Sequence, residues 1–256
     1  MNGTAAIEVE GIAKTFRIPS EHRDTVREHV FGLLKPRRFQ TLRVLDGVSF
    51  TLRRGETLGI MGRNGSGKST LLRILAGIYT PDAGEVRAHA GITPILELGV
   101  GWNPELDAID NVYLMATVLG LPLRAVSEAL DGILAFAELE RFARLKLKHY
   151  SSGMASRLAY AVAFAAVREV LILDEIFAVG DAGFRARCEA RYRELREAGH
   201  TVLLVSHDPR TIATFCDRAL LLDRGRILMD GPAPLVAERY VHTVAGATAP
   251  AHPVLP

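Results

Sequence analysis

Residues 62–70 read Gly-Arg-Asn-Gly-Ser-Gly-Lys-Ser-Thr and follow directly on the apolar run Thr-Leu-Gly-Ile-Met at 57–61. A glycine-rich turn that ends in Lys-Ser-Thr, placed between a strand and a helix, is a phosphate-binding loop. Its glycines, Gly62, Gly65 and Gly67, let the backbone fold back so that N–H groups point at phosphate oxygens. The helix that opens near Lys68 adds the positive end of its dipole. Lys68 is expected to reach the β- and γ-phosphates and Ser69 to coordinate Mg²⁺, with Arg63, Asn64, Ser66 and Thr70 completing the loop. A plain strand-to-helix turn needs neither the lysine nor the hydroxyl beside it, so the chain reads as a nucleoside triphosphate binder.

Composition narrows the partners. The chain has 256 residues and a hydrophobic fraction of 48%, enough for one or two well-filled domains. Lys and Arg number 31 against 29 Asp and Glu, so the basic excess typical of nucleic-acid binders is missing and no nucleic-acid partner is expected. Cys188 and Cys216 are the only cysteines and have no metal-like spacing, which suits a reducing compartment better than a disulfide framework. Residues 1–10 carry Glu8 and Glu10 and do not read as a secretory signal. The longest apolar stretch, 158–167, is too short for a bilayer core of about 30 Å. The chain is therefore expected to be soluble by itself, with any membrane role supplied by a partner.

Strand and helix signals alternate along the chain, the pattern of an α/β domain on a mostly parallel sheet. Residues 7–9 and 48–52 read as short strands, and 71–76 as the apolar start of the helix after the loop. From about 104 to 167 the texture becomes helical, with apolar residues at helical spacing in 112–119 and 125–136. Buried strands are expected at 170–173 and 202–205, then a β segment at 219–222 that turns at 223–225. The end of the chain is rich in Ala and Pro, so residues 243–256 are expected to form a disordered tail beyond a domain spanning 5–242.

Three further places carry chemistry. The apolar strand at 170–173 ends in Asp174-Glu175. Asp174 suits a Mg²⁺ ligand acting through the water shell, and Glu175 a base that polarises the attacking water. The strand at 202–205 ends in Ser206-His207-Asp208, at the edge of the sheet where ligands bind in such folds. His207 is read as the γ-phosphate contact. Between them, Tyr150-Ser151-Ser152-Gly153-Met154 precedes a helix-forming run, and a hydroxyl with a glycine at a helix N-terminus makes either an ordinary cap or an anion site.

The position of this pentapeptide, about twenty residues before Asp174, makes the chain similar to the nucleotide-binding subunits of ABC transporters over roughly residues 7–239. The resemblance implies a P-loop NTPase fold, namely a RecA-like core with an antiparallel β-subdomain and a helical subdomain inserted at about 100–166. It also implies a homodimer, because the family's pentapeptide meets the γ-phosphate held by the opposite subunit. Ser151 and Gly153 keep the family's hydroxyl and glycine donor. The form Tyr-Ser-Ser-Gly-Met and the run at 174–182, with Asp181 in the loop that crosses the dimer, resemble the branch that exports bacterial surface polysaccharides and teichoic acids. Glu97 stands where most transporters carry a glutamine that senses Mg²⁺ and the membrane domain. Phe16 matches the aromatic that stacks on adenine.

An insertion at about 18–42 carries Val26, Val30, Leu33 and Leu34 on one helical face, then Lys35, Arg37 and Arg38. It reads either as a solvated loop or as an amphipathic helix near anionic headgroups. The resemblance as a whole implies an ATP- and Mg²⁺-dependent ATPase, peripheral on the cytoplasmic face of the inner membrane. There it would work with an integral membrane permease on a lipid-linked glycan. A soluble ABC ATPase and an importer subunit are the rivals. The chain has one cassette and no sustained heptads, which counts against the first.

Overall fold

The computed structural model describes residues 4–19, 39–95, 101–174 and 181–246. Its centre is a six-stranded sheet in the order β5-β6-β7-β3-β8-β9. The strands are β3 (Thr57–Met61), β5 (Ile92–Ile95), β6 (Val170–Asp174), β7 (Thr201–Val205), β8 (Arg218–Asp223) and β9 (Arg226–Pro232). All neighbours are parallel except β9, which returns antiparallel on β8. β3 and β7 are buried at every residue, as continuous apolar runs must be when both faces of a parallel sheet are covered.

Alternation along these strands divides the core into two layers. Leu171, Leu173, Val202, Leu204 and Leu221 face one cluster, while Val170, Ile172, Leu203, Val205, Leu220 and Leu222 face the other. The second face is covered by α1 (Lys68–Leu75) and by a separate antiparallel sheet in the order β2-β1-β4. That sheet comprises β1 (Ala5–Pro19), β2 (Phe39–Arg53) and β4 (Ala83–Ala88). On the first face lie three helices that the sequence reading missed, α5 (Ala182–Glu197), α6 (Pro209–Phe215) and α7 (Ala233–Gly246). A third layer packs α2 (Ala108–Val118), α3 (Leu123–Ala137) and α4 (Ser152–Ala165) around Val112, Val126, Ile133, Leu134 and Leu158. No described helix is long and apolar enough to cross a membrane.

Three expectations need correction. The strands at 7–9 and 48–52 are the middles of two 15-residue strands paired from Ala5↔Arg53 to Pro19↔Phe39. Hence Ile18 and residues 39–42 at the ends of the expected insertion lie in a β-ribbon, where register is set by cross-strand bonds; its centre, 20–38, lies outside the described residues. Helix α7 continues to Gly246, past residue 242 where the tail was expected, because Val236 and Ala237 anchor it in the core and carry the following turns along.

Candidate functional site

The carboxyl ends of β3, β6 and β7 come out together. Ile60 is paired with Val205, and Val205 with Asp174, so these three residues stand at one level where the strands end. The loop that follows β3 is built against its own chain. A side chain at Gly62 would put its Cβ 2.2 Å from the Leu222 carbonyl oxygen and 2.5 Å from Ser66 Oγ, and only glycine fits. Gly67 starts α1 at φ 108°, and a Cβ there would lie 2.8 Å from Leu45 and 2.9 Å from the Val44 carbonyl oxygen.

Lys68 Nζ donates to the carbonyl oxygens of Gly62 at 2.7 Å and Arg63 at 3.1 Å, so the ammonium is held over the turn. Ser66 accepts on its carbonyl from Gly225 N–H at 2.9 Å, which ties the loop to the β8–β9 turn. Its own Oγ is buried with no hydrogen-bond partner among the described residues. A polar cavity of about 560 Å³ opens beside the loop, lined by Arg63, Asn64, Gly65, Ser66, Asp223, Arg224 and Thr243. Ser69 is exposed, Thr70 half-buried, and Asp174 half-buried at the end of β6. Among the described residues no three His, Cys, Asp or Glu side chains gather as a metal cluster. A hydroxyl and one carboxylate still suit Mg²⁺, which takes its remaining ligands from phosphate and water.

His207 is exposed between two fixed points. Ser206 N–H donates to Ile60 O at 3.4 Å, and Asp208 caps α6 by accepting from Arg210 N–H at 3.1 Å and Thr211 N–H at 3.3 Å. Burial pulls the Asp208 carboxyl upward, but the Thr211 and Arg210 hydrogen bonds win and hold it below the usual range. Phe16 lies on β1 with its ring edge-on to Tyr79, centroids 5.8 Å apart, and Lys14 Nζ 5.7 Å from its centroid. Lys14 also pairs with Asp82 at 2.9 Å and so pushes that carboxyl's pKa down.

Ser151 caps α4, its Oγ accepting from Met154 N–H at 3.2 Å. The helix end is exposed, and a Cβ on Gly153 would meet nothing closer than Ser151 Oγ at 3.8 Å. Tyr150 O–H donates to Phe142 O at 2.8 Å, and burial with the nearby Asp107 pushes its pKa up to about 12. Asp181 caps α5 by accepting from Phe184 N–H at 2.9 Å and pairs with Arg157 of α4. Its carboxyl is held low, first by that N–H and then by Arg157. Glu97 and Glu175 lie outside the described residues. The residues that sequence reading missed are Glu138, Arg157 and Arg187, which meet around Phe184 and share no local pattern.

A family profile described as ABC transporter matches residues 45–178, and relatives match far more of the chain. The ABC transporter protein AbcA of Aeromonas salmonicida is 39% identical over 234 residues, 91% of this chain and 75% of that protein. This chain belongs to the ABC transporter family. Two relatives of this ABC protein bear more specific names. The O-antigen export system ATP-binding protein RfbB of Klebsiella pneumoniae is 38% identical over 218 residues, 85% of this chain and 87% of that one. The teichoic acids export ATP-binding protein TagH of Listeria monocytogenes serotype 4b is 31% identical over 242 residues, covering 94% and 71%.

Among solved structures, the dimeric ADP- and Pi-bound ATP-binding cassette MJ0796 superposes with TM-score 0.71 at 24% identity, over 89% of this chain and 98% of that one. An ATP-binding subunit of an ABC transporter gives 0.73 at 23%, over 93% and 94%. The α/β architecture, with its β-subdomain and helical layer, is thus that of an ABC ATPase.

Proposed function

We propose that this chain is the ATP-hydrolysing subunit of an exporter. As a homodimer under a separate membrane permease, it would move a lipid-linked surface polysaccharide outward from the cytoplasmic face of the membrane. The observation that carries the dimeric ATPase is the contrast at the two glycines. Gly62 is demanded by the Leu222 carbonyl and the Ser66 hydroxyl, whereas a Cβ on Gly153, at a capped helix end, would make only an ordinary contact with Ser151 Oγ at 3.8 Å. Gly153 meets no steric demand inside its own chain, and beside the Ser151 cap its N–H at the helix end can donate to an anion brought from outside. The phosphate of a nucleotide held on a second copy's loop fits that chemistry.

In this reading Phe16 stacks on the base, and residues 62–70 cradle the phosphates with Lys68 neutralising their charge. Ser69 and Asp174 hold Mg²⁺, which supplies charge neutralisation at the phosphates. Glu175 orients the attacking water, His207 holds the γ-phosphate, and Glu97 couples the site to the permease. Asp181, at the start of α5, lies on the face that meets the second copy. Catalysis then rests on position and fixed charge, as phosphoryl transfer requires.

Export of a polysaccharide is supported by the names of the relatives. O-antigen exporters stand at 35–39% identity along with AbcA, and teichoic acid exporters at 28–31%, so an O-antigen-like glycan is the first reading. Glu175→Gln in the native host tests it. The account expects nucleotide binding to persist, turnover to fall by a factor on the order of 10²–10⁴, and lipid-linked glycan to collect in the inner leaflet. Normal surface glycan beside an inactive ATPase would remove the exporter reading.

A further inference from the structure

Glu138 closes helix α3 at φ 58° and ψ 42°, in the left-handed region where glycine is the usual residue. Among the described residues only one other non-glycine, Arg224, has a positive φ. Packing does not require the glutamate, whose side chain is 54% exposed. Its two carboxylate oxygens instead accept from arginines on two different helices. Oε2 takes Arg157 Nη1 of α4 at 2.7 Å, and Oε1 takes Arg187 Nη2 of α5 at 2.7 Å. The other terminal nitrogen of Arg157, Nη2, pairs with Asp181, the cap of α5. Both guanidiniums lie near the buried Phe184 ring, 5.5 and 5.6 Å from its centroid.

The chain of charges therefore runs from the C-terminus of α3, through α4, to the N-terminus of α5. It crosses the seam between two packing units. α3 and α4 belong to the helical layer, while Phe184, Cys188, Tyr192 and Leu195 place α5 under the central sheet. Beneath the ion pairs the seam is aromatic, with Phe136 edge-on to both Phe164 and Phe184 at 5.7 Å. Ring contacts of this kind are not charge-assisted, whereas a carboxylate bonded by one oxygen to each of two helices fixes their relative direction.

We infer that Glu138 is a positioning residue for ATP hydrolysis, clasping α4 to the start of α5 so that Ser151 and Gly153 hold one orientation against the ATPase core. The inference rests on the proposed reading in which that helix end meets nucleotide on a second copy. Stability does not account for the clasp. Ion pairs whose carboxylate is more than half exposed add little, and the left-handed backbone takes part of that back. Glycine would close α3 with less strain, so what the glutamate supplies is geometry.

The test compares purified full-length wild type, Glu138→Gly and Glu138→Gln by thermal midpoint, binding of a fluorescent ATP analogue, and steady-state hydrolysis. Glu138→Gly is expected to unfold at or above the wild-type temperature and to bind the analogue equally well. Its kcat should fall roughly tenfold with KM for ATP unchanged, while Glu138→Gln falls less. Raising ionic strength should lower the wild-type kcat toward that of the glycine variant, because the clasp is exposed to screening. A glycine variant with wild-type kcat overturns the inference. So does a parallel loss of thermal stability, KM and kcat in both variants, which would make Glu138 a structural residue. A wild-type chain that binds ATP and never hydrolyses it would overturn the underlying reading along with the clasp.

Discussion

The phosphate loop and the N-terminus of α4 are both helix starts rich in glycine and hydroxyls, yet the chain treats them in opposite ways. At the loop three residues answer to neighbours: Gly62 to the Leu222 carbonyl, Gly67 to Val44 and Leu45, and Lys68 to the carbonyls of Gly62 and Arg63. At α4 only Ser151 has a local task, as a cap, and Gly153 has none. The turn of the loop is shaped by its own chain, whereas the α4 end meets no such steric demand at its glycine. The lesson is that steric demand separates residues that serve the fold from residues that serve a second molecule.

Substitutions break or sharpen this contrast in a definite order. Gly62→Ala should do most harm, since its Cβ would lie 2.2 Å from a backbone oxygen that cannot swing away. A loss of several kcal/mol, read by chemical denaturation, is expected together with loss of nucleotide binding. Ser151→Ala should cost about 1 kcal/mol, the worth of an N-cap. Gly153→Ala should leave stability unchanged or raise it by up to about 1 kcal/mol, as alanine does in an exposed helix. It should nevertheless lower ATP hydrolysis. If Gly153→Ala destabilises the fold as Gly62→Ala does, the contrast between the two regions fails.

Much of the candidate site's framework was legible because it is local. The loop at 62–70, the strand end at Asp174 and the cap at Ser151 each depend on a few consecutive residues, and local spacing carries them. The long ribbon of β1 and β2 was not legible, because repeated register shifts along their pairing, as between Val9 and Ile12, break the alternation that marks a strand. β5 escaped because Pro94 sits inside it, which only an edge strand tolerates. α5 did leave a signal: Phe184, Cys188, Tyr192 and Leu195 recur at helical spacing amid charged residues, and all four are buried. The Glu138 clasp left none, since its members lie on three helices and meet only in the folded chain.

The central claim is that one hydrolytic site is assembled from two copies, and mixing two inactive variants tests it directly. Glu175→Gln lacks the base, and Gly153→Asp would place a carboxylate where a phosphate must bind, so each alone should be inactive. In a mixed dimer the Gly153→Asp copy supplies an intact loop and base, and the Glu175→Gln copy supplies an intact α4 end. Hydrolysis should return to roughly a quarter of the wild-type rate, because about half of the dimers are mixed and each holds one whole site. A mixture that contains mixed dimers by native mass spectrometry and stays inactive would contradict the account.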